Sequence, residues 1–460
     1  MQQRREVFLN GLLALLVLSS ILLSARLLYS PGETSPVGGT ADVQPPPPDW
    51  QGEMPDVYRP ERILVQPRAD RGALLLPGSA PYEAMWKTVW SLLAESEPDW
   101  SAVEVYPDRV VAPAVTLVLP VPAPLEHWAE QWGWDAPDPS LGSVRIDRVR
   151  LLTGEEAGMV LSGPAGDAYR IRSLSPDQRQ RLQNQVADLD ESLFTEYRPV
   201  SVVDESIRLL AGLTVPALDA VPWARVSGLT PDPVWEKIRY FPDLSVVRQI
   251  DETNAQSYTD GQRLLRILAS GVLEYRTADL DGTGPDLQQA LELIEDWVMA
   301  RGGWPEDLVL TGWIQQETRT ILTFEDRVAG PLPVETAGGA LRVHVIADAG
   351  NPRSARVTFL QRYPELLPAF DRKVLLPVIS PEEVLQTAAD RYPQVLKASA
   401  VRDLYLAYLV QPGSRPGDVS WHIEPVWVIQ AGSTRLYIPG LPDGMVRAVQ
   451  AGSLHHPTGE

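Results

Sequence analysis

The chain of 460 residues contains no cysteine. That excludes disulfides, thiolate metal sites and a cysteine nucleophile, whatever the compartment. Lysine is nearly absent, occurring only at Lys87, Lys237, Lys373 and Lys397, so arginine carries almost all the positive charge. Basic surface is lacking too: the formal charge is −20. This argues against nucleic acid as a partner and against adsorption of the main body to anionic lipid or wall polymers. Histidines are few (His127, His344, His422, His455 and His456), and none has a partner at helical spacing. No H-E-x-x-H, no G-x-S-x-G and no phosphate-cradling glycine loop occurs. The sequence therefore implies no cofactor and no metal.

One long apolar run is present, Val7–Ala25, nineteen residues without a charge. As a helix it rises roughly 28 Å, close to the ~30 Å hydrocarbon core of a bilayer. Its polar side chains are Asn10, Ser19, Ser20 and Ser24, and hydroxyls are tolerated in lipid because they bond back to the helix. Arg4 and Arg5 precede it and favour a cytoplasmic N-terminus; Arg26 and Tyr29 suit the far interface. A cleaved signal peptide competes with this reading, but its apolar region is usually shorter, and no clear small-x-small cleavage site occurs before residue 30. A soluble core helix of this length would show a polar stripe. Ser20 and Ser24 share one helix face and are the candidate residues for packing against another membrane helix, with lipid-tolerated filler as the plainer explanation.

The remaining organisation follows composition and pattern. Residues 1–6 form the cytoplasmic N-terminus, 7–28 the transmembrane helix and 29–60 a Pro/Gly-rich tether with polyproline II at Pro45–Pro48. Residues 61–199 form a first folded unit. It has strands at Arg62–Val65 and Ala73–Leu76 and a helix at Pro81–Ala94. A proline-ended strand at Val110–Val121 reads as lying near a sheet edge. A hairpin turns through Thr153–Glu156, and a helix starts at Ser175. Trp128, Trp132 and Trp134 read as a core or interface cluster rather than a ligand platform.

Residues 200–332 form a central unit: strands at Val200–Ala211 and Ala220–Gly228, a helix at Pro233–Tyr240, and strands around Val246–Ile250, Arg263–Leu268 and Val272–Tyr275. A helix over Asp286–Arg301 and strands at Leu308–Gln315 and Thr320–Val328 complete it. Residues 333–440 form a third unit with strands at Leu341–Ile346 and Ala355–Arg362, a helix opened by Ser380, and strands at Val401–Val410, His422–Gln430 and Leu436–Ile438. Both later units read as ββαββ, so the expected fold class is α+β: a transmembrane helix followed by three extracytoplasmic α+β domains, the last two alike. Residues 441–460 form a polar tail.

Asp279-x-Asp281-Gly282-Thr283-Gly284-x-Asp286 resembles a calcium loop but lacks the closing carboxylate at its twelfth position, where Ala290 stands. It reads better as a polar loop capping the next helix through Asp286. The neighbours Asp251-Glu252 and Glu382-Glu383 do not share a face in strand or helix, so neither is an acid/base pair as written.

Several stretches are similar to the YycH family of two-component-system regulators: the anchor ending in Tyr29 and Pro31, Phe241-Pro242-Asp243-Leu244, Thr253-Asn254 followed by Tyr258-Thr259-Asp260-Gly261, Gly271–Tyr275, and Pro425-Val426-Trp427-Val428-Ile429 with Tyr437. The resemblance implies a single-pass membrane protein, without enzymatic activity, whose body lies outside the cell. It implies a YycI-like partner and control of a WalK (YycG)-like sensor histidine kinase through adjacent membrane helices. It also implies a shared fold for the second and third units. A membrane-anchored hydrolase acting on cell-wall material is the alternative; it requires a cleft with paired carboxylates or a metal.

Overall fold

The computed structural model describes residues 59–442, with 97, 99, 101–102, 108, 110, 155, 173, 202–206, 229–230, 278–281, 302–307, 327–329, 338, 349–350 and 413–419 left aside. The apolar run Val7–Ala25, with Ser20 and Ser24, lies outside the described residues, as do nearly all of the tether and tail. Among the described residues no helix is long and apolar enough to cross a membrane. The architecture is α+β and dominated by antiparallel sheet.

The first sheet comprises β1 (Arg62–Arg68), β2 (Arg71–Leu75), β3 (Glu104–Val105), β4 (Ala114–Pro124), β5 (Arg145–Leu152), β6 (Gly158–Ser162), β7 (Ala168–Arg172), β8 (Thr195–Pro199) and β9 (Thr214–Pro216). Its order is β3-β7-β6-β5-β4-β1-β2-β8-β9. The helix Ala80–Ala94 covers one face because Tyr82, Met85, Trp86, Val89, Leu92 and Leu93 recur at helical spacing and are all buried. Ser79 caps it, and Pro81 sits in its first turn. The helix Pro176–Ala187 begins with a capping box between Ser175 and Gln178. Trp128, Trp132 and Trp134 are core residues. Trp128 and Trp132 lie on the helix Leu125–Trp132, their rings 5.6 Å apart, and the Trp132 and Trp134 rings are 4.6 Å apart. The indoles of Trp128 and Trp134 donate to the Ile146 and Leu93 carbonyls.

The strand expected near a sheet edge is central: β4 runs between β1 and β5. Its prolines are tolerated because pairing with β1 stops at Val118, and the register with β5 shifts between Val118 and Ala123. Pro120 and Pro122 thus fall within a bulge, where no ladder donor is needed.

The second sheet follows β10 (Ala220–Gly228) and the helix Pro233–Tyr240. It is built from β11 (Arg248–Glu252), β12 (Ala255–Thr259), β13 (Arg263–Leu268), β14 (Leu273–Thr277), β15 (Gly282–Thr283), β16 (Leu308–Gln315) and β17 (Thr320–Asp326). Then come β18 (Val334–Thr336), which belongs elsewhere, and β19 (Leu341–Asp348) and β20 (Asn351–Arg362), which complete it. The order is β11-β12-β13-β14-β20-β19-β17-β16, with β15 on β19. The β12–β13 turn forms because Gly261 holds φ +89° and the Asp260 carboxylate accepts from the Gln262 and Arg263 N–H groups. The helix Leu287–Met299 lays Leu287, Ala290, Leu291, Ile294 and Val298 on this sheet.

The third assembly has a ribbon of β10 with β21 (Leu366–Pro377), the helices Pro381–Arg391 and Pro393–Ala398, and a sheet in order β18-β22-β23-β24 formed with β22 (Val401–Pro412), β23 (Trp421–Ala431) and β24 (Thr434–Pro439). Val221 and Ala224 of β10 share a core with Leu366, Leu376, Val384 and Trp427.

Sheet membership thus crosses the sequence divisions at 199/200 and 332/333. β19 and β20 complete the central sheet, while β10 pairs with β21. Val200–Ala211 is not one long strand: its described part makes only isolated bridges at Leu209 and Ala211, and Gly212 turns the chain at φ +74°. β21 shows no strand pattern in the sequence because its centre is charged. Its register jumps from Leu375 to Asp371, leaving Arg372–Val374 out of the ladder.

Candidate functional site

The histidines are dispersed. Burial lowers the pKa of His127 on the helix Leu125–Trp132. His344 on β19 is lowered to about 4 by burial and by Arg342, Arg319 and Arg276. His422 on β23 lies 3.1 Å from the Ser420 hydroxyl. Among the described residues no three metal-ligating side chains gather. Of the calcium-like loop, Asp279 and Asp281 lie outside the described residues. Asp286 caps the helix Leu287–Met299 by accepting the Gln289 N–H at 2.8 Å. Glu252 accepts from the Ser257 hydroxyl and the Arg266 guanidinium, and Glu383 sits in a helix first turn.

The concentration of buried charge lies where the three assemblies meet. Arg62 enters from β1, Asp147 and Arg148 from β5, Glu325 from β17, Glu335 from β18, Arg402, Asp403 and Tyr405 from β22, and Arg435 from β24. A cavity of about 320 Å³ opens among them, lined by Glu61, Arg62, Arg148, Glu325 and Arg435, among others.

Local strand geometry explains how the charges converge. Register on β22 passes from Val401↔Ala431 to Asp403↔Gln430, so Arg402 is the extra residue of a bulge. A bulge re-aims its side chain. Arg402 crosses to β5 and donates to both carboxylate oxygens of Asp147, at 2.8 and 3.1 Å. In return Arg148 donates to the Arg402 carbonyl at 2.8 Å and to Asp403 at 3.2 Å. Arg62 bridges Glu61 and Asp403, and its guanidinium lies 3.8 Å from the centre of the Tyr405 ring.

A second set surrounds Arg435, which donates to Glu61 at 3.0 Å and to Glu335 at 3.4 Å. The Tyr405 hydroxyl donates to the other Glu335 oxygen at 2.6 Å. Burial alone would raise the Glu61 and Asp403 pKa values. Arg435 and Arg62 outweigh it at Glu61, as Arg62 and Arg148 do at Asp403, so both end below the ordinary carboxylate range. Glu325 goes the other way: burial, then the charge of Glu335, push it up to about 8 despite Arg435.

Both oxygens of Glu61 and both of Glu335 are therefore engaged by arginine or tyrosine. Carboxylates so held are poor general bases, so Glu61 and Glu335 lend the hydrolase alternative no support. The sequence carries a signal for this cluster. Arg402-Asp403 opens an otherwise apolar strand, and Asp147-Arg148 and Arg150 interrupt another; charge inside a buried strand implies partners.

The fold and junction define a class: a multi-sheet α+β body joined by buried ion pairs. More particularly, the fold is YycH-like. The crystal structure of YycH from Bacillus subtilis matches with a TM-score of 0.53 and 13% identity, covering 83% of this chain and 95% of that one. An uncharacterized protein from Eubacterium rectale matches over 50% of this chain and 82% of its own, at 11% identity and a TM-score of 0.26. No protein-family model and no curated protein matches the sequence.

Proposed function

We propose that the chain is a non-enzymatic regulator of a two-component sensor histidine kinase, held at the cell membrane by Val7–Ala25. Its N-terminus is cytoplasmic and its α+β body is extracytoplasmic. The YycH-like fold over 83% of the chain carries the proposal; the uncharged apolar run ahead of that body supports it. A YycI-like protein is the expected partner of the body. The mechanism is differential contact. A kinase whose membrane helices have two arrangements is biased toward whichever one packs better on this helix.

The test exploits the absence of native thiols. Ser20→Cys and Ser24→Cys are expected to cross-link to a single cysteine in a membrane helix of the kinase, with Leu22→Cys on another face as the control. Equal cross-linking at all three positions, or none, contradicts the proposal.

A further inference from the structure

The central sheet ends on β11, and all five of its residues are exposed, Ile250 at 50%. Exposed edges are templates for pairing, and native sheets blunt them with brevity, proline, charged side chains or bulges. Four other sheet edges here are blunted. β3 has two residues, β9 ends in Pro216, β16 is bulged near Gly312, and β24 ends in Pro439. β11 carries three charges, Arg248, Asp251 and Glu252, which a pairing strand has to match, but no proline, and its register with β12 is unbroken. Among the described residues no strand lies beyond it.

Its outward backbone groups follow from the turn. The loop to β12 is Thr253-Asn254, flanked by the pair Glu252↔Ala255. A two-residue loop makes that pair the hydrogen-bonded kind, and the kinds alternate along the ladder. Arg248, Ile250 and Glu252 therefore bond to β12, while Gln249 and Asp251 present their N–H and C=O groups to the free edge.

The strand is complementary to itself. Placed antiparallel about a two-fold axis at Ile250, it sets Gln249 opposite Asp251 of the second copy, the residues whose backbone groups point outward on both strands. Ile250 then meets its own copy, and Arg248 meets Glu252 of the second copy on each side. A slip of one residue puts outward groups opposite inward ones. A slip of two either sets Asp251 against its own copy or sets Ile250 against Arg248.

We propose that the free edge of β11 is an interaction surface for a second copy of this chain, joining two central sheets into one continuous antiparallel sheet. The match of outward backbone groups and the apolar pair at the axis set the register, and Arg248 of each copy adds to the contacts that Glu252 already makes with Ser257 and Arg266 of its own chain.

Thiol proximity in intact cells expressing the full chain tests this, since the native sequence supplies no competing cysteine. Directly opposed residues of a non-hydrogen-bonded pair have Cα atoms about 4.5 Å apart, within disulfide range. Copies of position 249, or of position 251, are offset along the strands and lie about 8 Å apart, beyond it. Under a membrane-permeant oxidant, Ile250→Cys is expected to give on the order of ten-fold more cross-linked dimer than Gln249→Cys or Asp251→Cys alone. Adding Gln249→Pro to Ile250→Cys removes an outward N–H without touching the β11–β12 ladder, and is expected to abolish the cross-link. Arg248→Glu, which faces Glu252 of the second copy, provides an independent disruption. Equal yields at all three thiol positions, absence of the Ile250→Cys dimer, or its persistence in both disrupted variants overturns the proposal.

Discussion

Arg402 holds both carboxylate oxygens of Asp147 from 255 positions further along the chain, at 2.8 and 3.1 Å. One residue belongs to the last sheet and the other to the first, and Arg402 is only 2% exposed. The pair is therefore a buried strut between assemblies. Taking two charges out of water consumes most of their mutual attraction, so its net worth is small while its loss on one side is not. Arg402→Ala or Asp147→Ala should each destabilise the body by about 3–5 kcal/mol, because each takes the bidentate partner from a buried charge. The double variant Arg402→Met/Asp147→Leu should recover most of that loss. Urea denaturation followed by tryptophan fluorescence measures all four corners of the cycle.

Glu325 sets a pH dependence. It faces Glu335 on β18, Arg435 and Tyr437 on β24, Thr311 on β16 and Glu61 ahead of β1. With its folded pKa raised to about 8, the folded state holds a proton that the unfolded state releases near 4.5. Stability therefore falls as pH rises between these values, and the loss is complete above the higher one. Glu325→Gln removes the ionisation. Its thermal midpoint should match the native one at the acid end of this range and exceed it by a widening margin up to about pH 8. A constant difference across the range contradicts the assignment.

Asp286 offers a smaller test of the calcium-like loop. Its side chain accepts the Gln289 N–H, so Asp286→Ala should cost about 1 kcal/mol and Asp286→Asn much less. Added calcium should leave the thermal midpoint of the native protein unchanged; a rise on calcium addition contradicts the capping role.

Local pattern made most elements legible, and topology did not follow from them. The helices at Pro81, Pro233 and Asp286 were readable because a cap, a first-turn proline or an apolar stripe marks each. The strand Leu308–Gln315 was readable to the residue. Which sheet a strand joins depends on non-local pairing, which periodicity does not encode. Thus β20 sits between β14 and β19, and β10 leaves its sequence neighbours for β21. The junction was hidden for the same reason. Arg402 and Asp147 look like unrelated surface charges until the bulge on β22 and the crossing of the sheets bring them together. Glu61 and Glu335 likewise meet only through Arg435.

The central claim is that control passes through the apolar segment near the N-terminus, and exchanging that segment tests it most directly. Val7–Ala25 is replaced by an unrelated apolar helix of equal length, and kinase output is read in cells alongside membrane fractionation of the chain. The account predicts that the chain stays in the membrane while its control of the kinase is lost. Unchanged kinase output with the exchanged helix would contradict it.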